Sequence, residues 1–295
     1  MSTSMRVPSS VDTQPLRRLS DVLALEQLEP TLFRSRQHDG ASIRIFGGEV
    51  AAQAVTAAAA TVDADRHIHS AHTYYLLPGD TSQPVVYRVA VERDGGSFSN
   101  RSVTALQDGR VIFTMSASFQ VVRSGLQHQV PTLEAPPPDT LPAPSVTFAD
   151  DPGTTSWLEG LMQRIPVELR FPETIHAGDV RGGKPAIRTW MRSAERLADH
   201  RLIQSAGLVY LSDLFMLSTA LRAHGHRIDD PAVQFATVDH SVWFHAPCRA
   251  DDWFMYEIES DWTGHGRALC RGRIFDQAGR LCASTVQEGT FRVLQ

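Results

Sequence analysis

The sequence predicts an α+β protein in which one unit, a long helix with an antiparallel sheet, occurs twice. Two stretches of the chain repeat each other in the order and spacing of their motifs. Each stretch contains several alternating apolar runs separated by Gly and Asp turns, a pattern typical of antiparallel hairpins. Each stretch also follows one strongly apolar helical segment, so helix and sheet come in the same order in both copies.

The repeat is clearest around two histidines and two turn glycines. HTYY from His72 matches HSVW from His240, and the turns at Gly109 and Gly279 each lie between two β-rich runs. From histidine to glycine the spacing is 37 residues in the first copy and 39 in the second. This agreement favours a duplication over chance similarity between two meanders.

The N-terminal copy contains three predicted elements and is followed by a linker. Ser20 is predicted to cap a short helix, and the Ala-rich segment from Phe46 to Val62 is predicted to form the long helix. Alternation from Val85 to Val91 predicts a strand. Six prolines lie among the 15 residues from Pro131 to Ser145. Such a segment cannot form a helix or a central strand, so we expect an extended linker there.

The C-terminal copy follows the linker with similar elements. A short helix is predicted from Leu158, a strand from Pro185, a long helix from Ser205 to Gly225, and a strand from Phe254 to Ile258. We therefore expect an N-terminal unit over residues 1–125, a Pro-rich linker over 126–155 and a C-terminal unit over 156–295.

Asp213 is the most unusual residue of the second long helix. At helical spacing its neighbours are Val209 and Tyr210 on one side and Met216 and Leu217 on the other, so its carboxylate projects from an apolar face. An ionised carboxylate is costly to bury unless it is paired or hydrogen-bonded. Asp213 is therefore either a structural acid satisfied by a buried donor or a functional group.

Composition limits the possible classes of function. The chain has 295 residues, 42% of them hydrophobic, and a formal net charge of -5 without an extended basic face, which argues against nucleic acid as the main partner. Three cysteines without CxxC spacing and an N-terminus without a signal-peptide pattern favour the cytoplasm. The Ala-rich run is too short to span a bilayer, so we expect no membrane insertion.

Two familiar catalytic patterns are absent or incomplete in the sequence. No Gly-x-Ser-x-Gly elbow occurs, which argues against a serine hydrolase of the α/β type. His67, His69 and His72 resemble a metal cluster, but neither a helical HExxH nor a nearby cysteine pair completes it. The sequence therefore predicts neither a metal site nor an organic cofactor.

Five segments in order resemble the signatures of the acyl-CoA thioesterase II family. They are FGGEVAAQA from Phe46, HSAHTYYLLPGD from His69, RDGGSFSNR from Arg93, DHSVWFH from Asp239 and ASTVQEG from Ala283. The resemblance covers nearly the whole chain. It implies two fused hot-dog units, each an antiparallel sheet wrapped around a long central helix. It also implies hydrolysis of a fatty acyl-CoA to free fatty acid and CoA, a role in lipid metabolism, and a homo-oligomer.

The family's catalytic aspartate, threonine and glutamine fall here on Asp213, Thr237 and Gln287. Thioester hydrolysis requires a water held against the carbonyl carbon, a carboxylate that takes its proton, and neutral polar groups that orient it. The resemblance thus makes Asp213 the general base and Thr237 and Gln287 the orienting residues, without a covalent acyl-enzyme. Without the resemblance, Thr237 would be interpreted as a strand residue that packs by its methyl group, and Gln287 as a surface residue of the last strand.

Three other residues are candidates for supporting roles, and a fourth departs from the family pattern. His69 matches a histidine that the family carries near its site, and an offset of 168 residues places it opposite Thr237; a satisfied core histidine is the competing interpretation. Gly47 and Gly48 begin a helix and are candidates for holding an oxyanion through backbone N–H groups. Glu49 stands where the family commonly has glutamine.

Two other classes of function stay open at this point. A hot-dog hydratase or dehydratase would bind a similar acyl-CoA but should carry its own His/Asp motif, which we do not find. A non-catalytic acyl-CoA-binding protein would bind without turnover. We also expect one working site per chain, because the first copy has Gln53 or Ala54 where the second has Asp213.

Overall fold

The computed structural model describes residues 17–36, 44–132, 134–175 and 185–294. In this part of the chain, twelve strands form one antiparallel sheet and six α-helices accompany it. The helices are α1 (Leu19–Leu23), α2 (Gly47–Ala59), α3 (Pro144–Thr147), α4 (Pro152–Arg164), α5 (Arg201–Ser212) and α6 (Met216–Arg222). The strands are β1 (Glu26–Glu29), β2 (Leu32–Arg34), β3 (Arg66–Tyr75), β4 (Val86–Asp94), β5 (Phe98–Gln107), β6 (Arg110–Val121), β7 (Val167–Arg170), β8 (Ala186–Ser193), β9 (Val233–Phe244), β10 (Phe254–Gly264), β11 (Arg267–Asp276) and β12 (Leu281–Val293).

The order of the strands is mirrored about the middle of the sheet. It runs β1-β2-β4-β5-β6-β3-β9-β12-β11-β10-β8-β7, so β3 and β9 pair at the centre. β6, β5 and β4 follow β3 outward, as β12, β11 and β10 follow β9. Helix α2 packs on β3 to β6, helix α6 packs on β10 to β12, and α2 also contacts α5. The two halves therefore place equivalent strands at equivalent distances from the centre.

Matching β-bulges show which residues of the two halves correspond to each other. His69 is skipped in the pairing of β3 with β6, and Val238 is skipped in the pairing of β9 with β12. Glu92 on β4 and Asp261 on β10 form a second such pair. Both pairs are 169 residues apart, so the offset of 168 is wrong by one. His69 corresponds to Val238, and not to Thr237.

The long apolar segment from Ser205 to Gly225 is not one helix. Helix α5 ends at Ser212, and α6 begins at Met216. Between them Phe215 has a φ of 66°, in the left-handed region that a bulky residue adopts only under strong constraint. Residues Arg201–Arg222, which contain both helices, are long and apolar enough to cross a membrane, but 83% of their most apolar window is buried in the protein, as in a core helix.

The linker predicted over residues 126–155 is not extended throughout, because Pro138–Thr140 form a 3-10 helix and both α3 and the start of α4 lie within it; proline is tolerated in the first turn of a helix. Most of the other local predictions are confirmed with small changes. The strand predicted from Pro185 is β8, and the helix predicted from Leu158 is the end of α4. Helix α1 has only five residues, and Arg18, not Ser20, is its N-cap. The Pro-rich linker lies against the second half, where Trp190 Nε1 donates to the Pro136 carbonyl at 3.0 Å.

Candidate active site

Asp213 lies at the break between α5 and α6. Its carboxylate is buried, and this burial raises its pKa to about 6 against the opposing effect of hydrogen bonding by Gly48 and Gln287. Phe215, two residues on, is held in its strained conformation by ring contacts to Trp157 and Phe171, with centroids 5.8 and 5.9 Å away. Backbone strain of this kind concentrates at functional sites. The break leaves Asp213 facing a cavity instead of continuing the apolar stripe of the helix.

Two glycines at the start of α2 allow the helix to approach this carboxylate. The Gly48 N–H donates to Asp213 Oδ2 at 2.8 Å. A β-carbon at Gly47 would lie 2.9 Å from the same oxygen, and one at Gly48 would lie 2.4 Å from the Tyr210 carbonyl oxygen. Only glycine permits this approach, which brings the positive end of the α2 dipole against the acid. Tyr75 fixes the turn further, because its hydroxyl donates to the Gly47 carbonyl at 3.0 Å.

Thr237 and Gln287 meet across the neighbouring strands β9 and β12. Gln287 Nε2 donates to Thr237 Oγ1 at 3.1 Å, and the amide is close enough to Asp213 to lower the pKa of that acid. Gln287 Oε1 is buried without a hydrogen-bond partner among the described residues. Gln287 also opposes the fall in the pKa of the buried His240, so its amide interacts with that ring as well. Three residues distant in sequence, Asp213, Thr237 and Gln287, thus line one cavity.

His240 supports the site from behind and was not predicted as a site residue. Its Nε2 lies 2.9 Å from Ser212 Oγ, and it pairs with Gln287 across the strands. Burial lowers the pKa of His240 to about 4, so the ring is neutral at pH 7. The sequence motif DHSVWFH contains this histidine, but only the alternation of β9 could have indicated that it points inward.

Glu49 is buried in the wall of the same cavity. Both of its oxygens accept from Arg17 Nη1, at 3.2 and 3.1 Å, and Oε1 also accepts from Gln53 Nε2 at 3.2 Å. Burial raises the pKa of Glu49 to about 7, although the ion pair with Arg17 opposes the shift. Gln53 is itself held by Tyr87, whose hydroxyl donates to Gln53 Oε1 at 2.6 Å. These contacts tie the segment before α1 to the first turn of α2.

The structure does not bring His69 to this group. Its Nε2 lies 2.8 Å from Ser118 Oγ, its ring packs edge-to-face on Phe98, and it does not line the cavity. Burial lowers the pKa of His69. These contacts are those of a satisfied histidine at a bulge.

The cavity beside Asp213 has a volume of about 1410 Å³. This exceeds the usual size of a pocket for a small ligand, roughly 300–1,000 Å³. Among the described residues there is no group of three or more His, Cys, Asp or Glu side chains that could hold a metal ion. The arrangement offers a carboxylate ionisable near neutral pH, a neutral amide and a hydroxyl, which together suit proton transfer from a water.

Both halves of the chain match models of one protein family. Residues 35–120 match the acyl-CoA thioesterase N-terminal domain, and residues 135–291 match the acyl-CoA thioesterase C-terminal domain. Human acyl-coenzyme A thioesterase 8 is 37% identical over 93% of this chain and 89% of its own length. Acyl-CoA thioesterase 2 of Haemophilus influenzae is 34% identical over 94% of this chain and 98% of its own length.

Solved structures give a similar result. The acyl-CoA thioesterase II TesB2 of Mycobacterium marinum superposes with a TM-score of 0.77 at 36% identity, covering 93% of this chain and 98% of that one. A hot-dog protein of Alicyclobacillus acidocaldarius superposes with a TM-score of 0.75 at 21% identity, covering 94% and 98%. The second match supports the fold alone.

Proposed function

The chain belongs to the acyl-CoA thioesterase II family, and we propose that it is a cytoplasmic enzyme hydrolysing fatty acyl-CoA by direct attack of a water that Asp213 activates. One observation carries this proposal. Asp213, with a pKa raised to about 6, shares a cavity with Thr237 and Gln287 and accepts a hydrogen bond from the start of α2. A general base works best when its pKa lies near the working pH.

In the proposed reaction Asp213 removes a proton from the water as the water oxygen attacks the thioester carbon. Gln287 and Thr237 orient the water through their remaining hydrogen-bonding capacity. The tetrahedral intermediate collapses with cleavage of the C–S bond, and the thiolate of CoA takes the proton from Asp213. No acyl-enzyme forms. We assign stabilisation of the oxyanion to the positive end of α2, where Gly47 lines the cavity.

We interpret the two halves as two hot-dog units, each with its sheet wrapped around one helix. On this interpretation the units cover residues 1–125 and 156–295, and residues 126–155 link them. The shared offset of the bulges supports the duplication. Gln53 of the first unit is engaged by Tyr87 and the Val22 carbonyl, so we expect this unit to line the substrate without hydrolysing it.

We also expect the chain to self-associate, as the family resemblance implies. Light scattering across micromolar concentrations should give a mass above that of the 32.6 kDa monomer. A constant monomer mass would contradict this expectation.

Thiol release across a series of acyl-CoA chain lengths tests the function. The proposal predicts free thiol and free acid in equal amounts. A hydratase or dehydratase would change the acyl chain and leave the thioester intact. A binding protein would retain acyl-CoA without turnover. Either result would refute the proposed hydrolysis.

A further inference from the structure

The cavity extends from Asp213 in two directions, each lined by apolar residues and two arginines. One direction leads onto the first half of the sheet. Strand β3 joins the two halves there, since Tyr74 pairs with Asp239, and Tyr75 and its partner Phe113 line the cavity. The other follows β9 and β12 away from the sheet centre. The lining residues of the first half include Ile45, Leu77, Pro78, Ile112 and Phe113. Those at the ends of β9 and β12 include the aromatic pair Phe235 and Phe291.

Two arginines line the cavity in the second direction. Arg164 is the last residue of α4, and Arg292 is the last but one of β12. Arg164 Nε donates to the Gly160 carbonyl at 3.0 Å. Within the described ranges neither guanidinium pairs with a carboxylate. Asp229, an acid that lines the same cavity, is held by two hydrogen bonds from Arg227, at 2.9 and 2.8 Å.

The spacing of Arg292 from the catalytic group matches the length of one part of CoA. Arg292 lies five residues beyond Gln287 on β12, about 17 Å at the usual rise of a strand. This odd spacing starts its side chain on the opposite face of the sheet from Gln287, so it reaches the cavity around the end of the strand. The pantetheine arm contains two amide units and is about as long as four extended residues, ~14 Å. A thioester held at Asp213 with its arm along β12 therefore brings the first phosphates of CoA to the end of that strand.

Charge favours the same orientation. The protein carries a formal net charge of -5, which repels a polyanion unless cations surround the entrance to its site. Arginine is well suited to phosphate because its planar guanidinium can donate two parallel hydrogen bonds. The cavity wall on the side of the first half also includes Arg17 and Arg44, but Arg17 is paired with Glu49 and Arg44 has an interaction partner of its own. The apolar residues around them suit an alkyl chain.

We propose that Arg164 and Arg292 bind the phosphates of CoA, with the pantetheine arm along β12 and the acyl chain directed onto the first half of the sheet. The proposal rests on the hydrolysis proposed above, because it takes the thioester to lie at Asp213. It gives the first half a function although its own copy lacks a catalytic acid: it forms the wall of the acyl-chain site.

The test compares two substrates that share a thioester and an acyl chain but differ in charge. Acyl-CoA carries the phosphates, and the corresponding acyl-pantetheine carries none. We expect Arg164→Gln and Arg292→Gln each to raise KM for acyl-CoA about fivefold, and the double variant about 25-fold, with kcat nearly unchanged. KM for acyl-pantetheine should stay at the wild-type value in all three variants. Arg110→Gln changes an exposed arginine at the β5–β6 turn that does not line the cavity; it is the matched control and should behave as wild type with both substrates.

Two results would overturn the proposal. In one, the double variant keeps the wild-type KM for acyl-CoA. In the other, it changes the kinetics of both substrates equally, which indicates a structural effect. The affinities of the same variants for CoA and for pantetheine can be measured by calorimetry. This measurement does not depend on hydrolysis, so the phosphate site can fail or hold independently of the proposed reaction. Loss of the preference for CoA over pantetheine in the double variant supports the phosphate site, even if the wild-type protein fails to release thiol.

Discussion

Replacing Gly48 with alanine tests whether the start of α2 controls the catalytic carboxylate. The added methyl group would lie 2.4 Å from the Tyr210 carbonyl oxygen, a backbone atom that cannot rotate away. The start of α2 must therefore move, and the 2.8 Å hydrogen bond from the Gly48 N–H to Asp213 Oδ2 is lost or lengthened. Hydrogen bonds to charged groups contribute about 1.5–3 kcal/mol, which corresponds to a rise of about one to two in the pKa of Asp213 and to a loss of kcat/KM of about 2- to 15-fold at pH 7.

The same change should alter the pH dependence in a defined direction. The Gly48 N–H stabilises the ionised form of Asp213, so its loss raises the pKa of Asp213 further above about 6, by about one unit if ~1.4 kcal/mol is lost. Activity should then recover in part at alkaline pH, where the carboxylate is ionised again.

Thiol release measured from pH 5 to 9 gives both quantities, and thermal unfolding reports the strain. Gly160→Ala is the matched control, because a methyl group there meets nothing within 4 Å and removes a helix glycine, so stability should rise slightly. If Gly48→Ala gives the rate and pH profile of Gly160→Ala, the start of α2 does not control the catalytic carboxylate.

Four further predictions concern the site and its walls. Thr237→Ala and Gln287→Ala should each lower kcat, and the double variant should lose much less than the product of the two effects, because both residues serve one water. In the wild type, kcat/KM should fall about tenfold per pH unit below the Asp213 pKa of about 6, since only the ionised form is a base. The raised pKa of Glu49 means that its burial costs stability as pH rises from about 4.5 to 7, so Glu49→Gln should raise Tm at pH 8 more than at pH 5. Ile112→Trp should shift the preference toward shorter acyl chains in thiol-release assays, and an unchanged chain-length profile would contradict the acyl-site assignment.

Local patterns predicted the elements but not the places where tertiary contacts override them. The helix at α2 follows from periodicity, and so do the strands of the two halves. The break after Ser212 does not, because Leu214, Phe215 and Met216 continue an apolar helical pattern. Only the packing of Phe215 on Trp157 and Phe171 shows why the helix stops beside Asp213.

The error of one residue between the halves has a similar origin. The match of HTYY with HSVW pairs the exposed His72 with the buried His240, and which face of a strand is buried is visible only in the structure. The bulges at His69 and Val238 become visible only in the pairing of the strands. The ion pair of Glu49 with Arg17 joins positions 32 residues apart, which no local pattern reveals.

Turnover of purified Asp213→Asn tests whether Asp213 is the general base, because asparagine keeps the size of the side chain and removes the base. We expect a folded protein with a wild-type Tm to within a few degrees that binds acyl-CoA and releases thiol about 10²- to 10⁴-fold more slowly. A folded Asp213→Asn variant that hydrolyses acyl-CoA at close to the wild-type rate would contradict it.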